Sequence, residues 1–105
     1  MELSDIGDLY ERLAMDKIMS GRTIIKVGAD WCKPCKRMSK YFINIVNDNP
    51  DINFYNVSVD DSEEICEYLG VCKIPCIVFH RDGMVVNKHE GELTEEEVRE
   101  LIKNM

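Results

Sequence analysis

A chain of 105 residues, 45% of them apolar, is long enough to bury one core without disulfide staples and too apolar to stay disordered. Its formal charge of −7 argues against a nucleic-acid partner, because phosphate binding needs a basic patch. No apolar run reaches membrane-span length, and Glu2, Asp5, Asp8, Glu11 and Arg12 interrupt the start of the chain, so neither a membrane span nor a secretory leader is expected.

The expected setting is then a reducing one, the cytoplasm, where structural disulfides are rare and a cysteine pair is more often catalytic or metal-binding. The five cysteines cannot all pair within one chain.

In chain order, Ser4 is placed to cap a helix carrying Ile6, Leu9, Tyr10 and Leu13 on one face, closed by Ser20-Gly21. Residues 23–28, rich in β-branched side chains, read as a buried strand. After Trp31-Cys32-Lys33-Pro34-Cys35, residues 36–46 place Met38, Tyr41, Phe42, Ile45 and Val46 at the spacing of a helix face. Asp48-Asn49-Pro50-Asp51 breaks that helix. Residues 52–59 form a second strand through Ile52, Phe54, Tyr55, Val57 and Val59, and residues 61–69 a short helix with Asp61 and Glu64 at capping-box spacing.

Two further strands, residues 76–80 and 84–86, flank the hairpin signal Arg81-Asp82-Gly83. Thr94 and Glu97 open a last helix presenting Val98, Leu101 and Ile102, with Glu95, Glu96 and Glu97 suited to its positive end. A βαβ half followed by a ββα half predicts an α/β fold, one domain over residues 1–105, whose mixed sheet is covered on both faces. Tyr41 and Phe42 read as core, and His80 and His89 as surface residues of the hairpin.

The cysteine pair carries the chemistry. Two cysteines separated by two residues close into a small disulfide ring, reopen as a dithiol, or supply half of a metal site. Here they stand where a strand turns into a helix. Unpaired backbone N–H groups and the positive end of the helix dipole stabilise a thiolate at Cys32 there.

Four features extend this signal: Trp31-Cys32-Lys33-Pro34-Cys35-Lys36 at the strand-to-helix turn, Ile74-Pro75 opening a later strand, Gly83 in the hairpin and Gly91 before the last helix. On these features the chain resembles the thioredoxin family over essentially its full length. A glutaredoxin would show a different dipeptide and a glycine pair for glutathione. The resemblance implies the thioredoxin fold, a central mixed sheet of four to five strands flanked by about four helices. It implies a cis Ile74–Pro75 peptide beside the dithiol.

It also implies a protein-disulfide reductase acting by dithiol–disulfide exchange. Cys32, exposed, would be the attacking thiolate, and Cys35, more buried, would resolve the mixed disulfide. Pro34 suits the first helical turn, where a missing N–H is harmless. Trp31 would form an apolar wall, and the backbone of Ile74 would pair with an extended substrate. No bound cofactor is implied. A separate NADPH-dependent thioredoxin reductase would recharge a monomer that acts on disulfide-containing proteins.

Three positions depart from the family pattern. Lys33 replaces a usual Gly; its cation either favours the thiolate and a more oxidising pair, or is a solvated lysine of little effect. Lys26 replaces a usual buried Asp, with Asn56 at the position paired with it. Either Lys26 reaches water along its stem, or it is desolvated, with a depressed pKa, and able to act as a base. The first reading is preferred because buried lysines are rare; Cys35 would then lose its proton to water, Asp60 or Asp61. Lys40 replaces a helix-kinking Pro, so a straighter helix is expected.

Three more thiols need assignment. Cys76 follows Pro75, so one reading places its thiol near Cys32 and Cys35, as a third redox thiol or, with Cys72, as part of a four-thiolate zinc or iron–sulfur site. The plainer reading makes Cys66 and Cys76 buried small residues and Cys72 a partly exposed bystander, open to oxidation that would be regulatory. The alternative to the reductase is thus a metal-binding or protein-interaction module on the same scaffold.

Overall fold

The computed structural model describes residues 21–61 and 63–105. The expected helix through Ile6, Leu9, Tyr10 and Leu13 lies outside them. Four strands, β1 (Arg22–Gly28), β2 (Asn53–Ser58), β3 (Cys76–Arg81) and β4 (Met84–Glu90), form one sheet in the order β2-β1-β3-β4. Among the described residues three helices accompany them: α1 (Lys33–Asp48), α2 (Glu63–Leu69) and α3 (Glu95–Lys103). The β1–β2 pair is parallel, with Thr23 opposite Asn53 and Gly28 opposite Ser58. The other pairs are antiparallel, Val27 facing Cys76 and Arg81 facing Met84. The sheet is therefore mixed.

Strand β1 lies between two neighbours and is buried on both faces, which is why Ile24, Ile25 and Val27 run on without a polar alternation. The pleat sends these residues to opposite layers. Ile24 joins Phe54, Ile77 and Phe79 of the sheet under Met38, Phe42 and Ile45 of α1 and Val98 and Ile102 of α3. Ile25 and Val27 join Tyr55, Val57, Cys76 and Val78 under Ile65 and Leu69 of α2. Phe42 meets Phe54 edge-on, centroids 5.9 Å apart at 88°. Helix α1 runs through Lys40 as a single 16-residue element.

The β3–β4 hairpin turns on Asp82 and Gly83, both at positive φ (52° and 83°), the two-residue geometry that matches strand twist. Gly21 is tied to this turn in both directions, its N–H donating to Asp82 Oδ1 and its carbonyl accepting from Asp82 N, each at 2.8 Å. Strand β4 continues four residues past the expected end at Val86, to Glu90. Its Met84, Val85 and Val86 are exposed, because β4 is the sheet edge on the described side of β3.

His80 corrects the surface reading. It is 2% exposed, because β3 is an inner strand, and its Nδ1 has no hydrogen-bond partner among the described residues. Burial lowers its pKa from the ordinary 6.5. His89, near the end of the edge strand, is half-buried.

Candidate active site

Strand β1 ends at Gly28, and the chain turns through Ala29, Asp30 and Trp31 into α1. Cys32 N–H closes the turn onto Ala29 O at 3.2 Å. Cys32 is the N-cap of α1, with extended backbone (φ −90°, ψ 108°), and its Sγ accepts from Cys35 N–H at 3.3 Å. The two cysteines are joined as a disulfide, Cα atoms 5.2 Å apart. Pro34 falls within the first turn, where its missing N–H leaves no bond unmade. That turn, Lys33-Pro34-Cys35-Lys36, carries cations and no carboxylate. Once the disulfide opens, sulfur at Cys32 faces a donor N–H and the helix dipole, with the cation of Lys33 next in sequence, all of which favour the thiolate.

Cys32 is 6% exposed and Cys35 3%. Cys32 is thus less open than expected, because its Sγ turns inward to cap the helix and to bond Cys35. The close fit depends on Gly28. A Cβ there would stand 3.1 Å from Cys35 Sγ and 3.2 Å from Cys35 Cβ. Both distances are tighter than ordinary contact, so a larger residue there would need Cys35 to give by a few tenths of an ångström. Sequence reading placed Gly28 in the strand and missed this role, although a glycine closing the strand just ahead of the cysteine pair was a usable signal.

Trp31 is 66% exposed, and its Nε1–H donates to Asp60 Oδ2 at 2.9 Å. Asp60, considered above as a proton acceptor for Cys35, is engaged by the indole. The Ile74–Pro75 peptide is cis. Since Cys76 faces Val27 in the antiparallel β1–β3 pair, Pro75 lies at the sheet end from which the cysteine turn departs. Two interactions hold this segment. Pro75 O accepts from Gly91 N–H at 2.8 Å, and Glu90 Oε2 accepts from the Cys72 and Lys73 amides at 2.8 and 2.9 Å. Those amide bonds hold the Glu90 carboxyl below its usual range. Arg37 of α1 grips Glu92 with both Nε and Nη2 at 2.7 Å, linking the cysteine helix to the segment after Gly91. Tyr41 OH donates to Leu93 O at 2.6 Å, and burial pushes that phenol up to about 12.

Lys26 does not reach water along its stem. It is 4% exposed, because it shares the α1 side of the sheet with Ile24 under the helix. Its Nζ donates to Ser39 Oγ at 3.0 Å, and Ser39 Oγ donates onward to Cys35 O at 3.0 Å. The amine also lies 5.9 Å from the Phe42 ring centroid. Desolvation lowers its pKa from the ordinary 10.5. Asn56 lies opposite it in the β1–β2 register.

Cys76 is fully buried, and it lies in the α2 layer with Ile25, Val27 and Val78, with Cys66 packed alongside. The α1 layer receives Ile77 instead. The pleat thus makes Cys76 the buried small residue of the plainer reading, in the layer under α2, and sets aside the four-thiolate arrangement. Burial pushes the Cys76 thiol up to about 11 and raises that of Cys66, while Cys72 is exposed. Among the described residues, no group of three or more His, Cys, Asp or Glu is arranged to hold a metal ion.

Comparison with known proteins follows the same lines. The thioredoxin family model matches residues 10–104. The chain is 31% identical over 97 residues to a thioredoxin of Mycoplasmoides gallisepticum, covering 90% of this chain and 97% of that one. It is 29% identical over 99 residues to a thioredoxin of Ophiophagus hannah, covering 93% of each. The crystal structure of oxidized mitochondrial thioredoxin 3 from Saccharomyces cerevisiae matches with a TM-score of 0.81 at 28% identity, over 92% of this chain and 90% of that one. The mixed four-stranded sheet with its three helices is the thioredoxin fold. The chain therefore belongs to the thioredoxin family, and thiol–disulfide exchange is the reaction its cysteine pair performs.

Proposed function

We propose that the protein reduces disulfides of other proteins, with Cys32 as the attacking thiolate and Cys35 as the resolving thiol. The observation that carries this reading is the capping geometry: Cys32 Sγ accepts from Cys35 N–H at the start of a long helix. Reduced, that sulfur is the atom best stabilised as an anion. It attacks one sulfur of the target disulfide, whose bond breaks and whose other sulfur leaves with the electron pair and then takes a proton. Cys35 next gives up its proton and attacks Cys32 Sγ, releasing the second target sulfur as a thiolate. The target gains two electrons and two protons, and the protein ends as the Cys32–Cys35 disulfide.

Trp31 supplies an exposed apolar wall for the target, and the backbone of Ile74, just before Pro75, pairs with an extended target segment. Lys33 adds positive charge beside the thiolate. A separate NADPH-dependent thioredoxin reductase returns the disulfide to the dithiol, with no cofactor held by the chain. The protein works as a single-domain monomer in the cytoplasm, where the reducing poise draws the exchange toward target reduction.

The test is NADPH-coupled reduction of insulin by the purified protein with a thioredoxin reductase, run beside Cys32→Ser. Turnover that vanishes in Cys32→Ser is expected. A folded, fully reduced protein that leaves insulin oxidised would sink the reductase assignment.

A further inference from the structure

Residues 71–75, between α2 and β3, belong to no helix or strand, so no ladder fixes them. Strand β4 supplies the fixing. The β3–β4 register sets Lys88 opposite Val78 and Glu90 opposite Cys76, and both Val78 and Cys76 enter the layer under α2. Lys88 and Glu90 therefore leave the edge strand on that same side, two residues apart. There the chain comes off α2. Lys88 Nζ donates to Gly70 O at 2.8 Å, and Glu90 Oε2 accepts from the amides of Cys72 and Lys73 at 2.8 and 2.9 Å. A cation takes the carbonyl and an anion takes the amides, bonds stronger than those between neutral groups.

Gly91 adds a third tie, its N–H donating to Pro75 O at 2.8 Å. Ile74 stands between the tied stretches, and among the described residues no hydrogen bond takes its own N–H or carbonyl. Such groups are strong donors and acceptors that meet either water or an incoming partner. Cys72 and Lys73 are exposed and Ile74 is half-buried, so a strand arriving from solvent reaches this backbone. Without Glu90, the amides of Cys72, Lys73 and Ile74 in succession would have no partner within the described chain. The loop would then sample many conformations, few of which present Ile74 extended.

We infer that Glu90 is a positioning residue for target docking: it anchors Cys72 and Lys73 so that the open backbone of Ile74 stands ready to pair with an extended segment of the target. This rests on the assignment of Ile74 as the docking backbone in the proposed reduction of protein disulfides. Glu90 acts through the loop and takes no part in the exchange of bonds. Ordering the loop before the target arrives removes an entropy cost from binding. The benefit falls on a target long enough to pair with Ile74 and passes by a small disulfide.

The test compares a protein target with a small one in a Cys72→Ser background, which keeps the amide and removes the exposed thiol. Pre-reduced protein is mixed with insulin or with 5,5′-dithiobis(2-nitrobenzoate), quenched in acid, alkylated and weighed, so no reductase takes part. Glu90→Leu should slow oxidation by insulin at least about fivefold, the net worth of one ordinary hydrogen bond, and slow oxidation by the small disulfide far less. Glu90→Gln keeps an oxygen that accepts from both amides and should retain most of the insulin rate.

An unchanged insulin rate in Glu90→Leu, or equal losses on the two substrates, would overturn the inference. So would a loss in Glu90→Gln as large as that in Glu90→Leu. Amide exchange followed by NMR in the wild-type protein needs no variant to fold. Cys72 and Lys73 should exchange well behind Ile74, and equal exchange at all three would overturn the inference as well. Failure of the reductase assignment itself looks different: the wild-type protein is then oxidised by the small disulfide and not by insulin, with both amides still protected.

Discussion

Helices α1 and α3 begin in the same way geometrically and in opposite ways chemically. Both start from an extended N-cap, Cys32 (φ −90°, ψ 108°) and Thr94 (φ −80°, ψ 162°), whose side chain accepts from the amide three residues on. At α3 everything serves the helix. Thr94 and Glu97 cap reciprocally, at 3.2 and 3.0 Å, and Glu95, Glu96 and Glu97 oppose the positive end of the dipole. At α1 the acceptor is a sulfur, and the first turn carries Lys33 and Lys36 where carboxylates would favour the helix. The positive potential that α3 neutralises is left open at α1 for an anion that exists only when the disulfide is reduced. A helix start can be built for stability or for reactivity, and this chain holds one of each.

The contrast predicts separable losses. Cys32→Ser should reduce insulin turnover to background, yet the fold should persist, because a serine hydroxyl still caps α1; a collapse of the thermal transition would show that the sulfur is structural. Thr94→Ala should do the reverse, costing about 1 kcal/mol of stability and lowering the melting midpoint by about 4–8 °C. Turnover well below that midpoint should be unchanged.

Lys33→Glu attacks the electrostatic half of the argument. A charge near a helix terminus is worth about 0.3–1 kcal/mol, so alkylation of reduced Cys32 at neutral pH should slow by roughly two- to fivefold, while Cys72, remote from that helix start in sequence, alkylates as before. An unchanged Cys32 rate would mean that Lys33 is merely solvated.

The smallest effect belongs to Glu97. The Thr94 backbone N–H holds its carboxyl below the ordinary 4.5, so the folded state prefers it ionised. Its contribution is present above pH 4.5 and lost as the pH falls through the lowered folded value. The gap in urea midpoint between wild type and Glu97→Gln should therefore exist at neutral pH and close in acid. A gap that persists at acid pH would remove Glu97 from the cap.

Both helix starts were legible in the sequence, since each is written in consecutive residues: Thr94 to Glu97 as a capping box and Cys32 to Cys35 as a redox pair in a strand-to-helix turn. The hairpin at Asp82-Gly83 and the cis Ile74–Pro75 peptide were anticipated equally well. The misreadings concern depth and facing. Lys26 was expected to reach water and His80 to lie on the surface, while Cys76 was left open between a thiol near the dithiol and a buried small residue. Each sits on β1 or β3, inner strands of the sheet. A strand buried on both faces shows no polar alternation, so nothing local distinguishes the residue under α1 from the one under α2. Gly28 was read as strand filler because its purpose, room for Cys35, is a contact across seven positions of chain.

The order of the described elements, the Thr94–Glu97 cap, the place of the hairpin and the reactive pair followed from the residues alone, because each depends on groups within a few positions of one another along the backbone. Which layer a strand residue enters, whether Lys26 keeps its water, and what faces Cys35 from below depend on how the sheet is pleated and what packs on it. Those are long-range contacts, set by α1 packed over β1, which buries an amine that Ser39 links to the backbone carbonyl of Cys35.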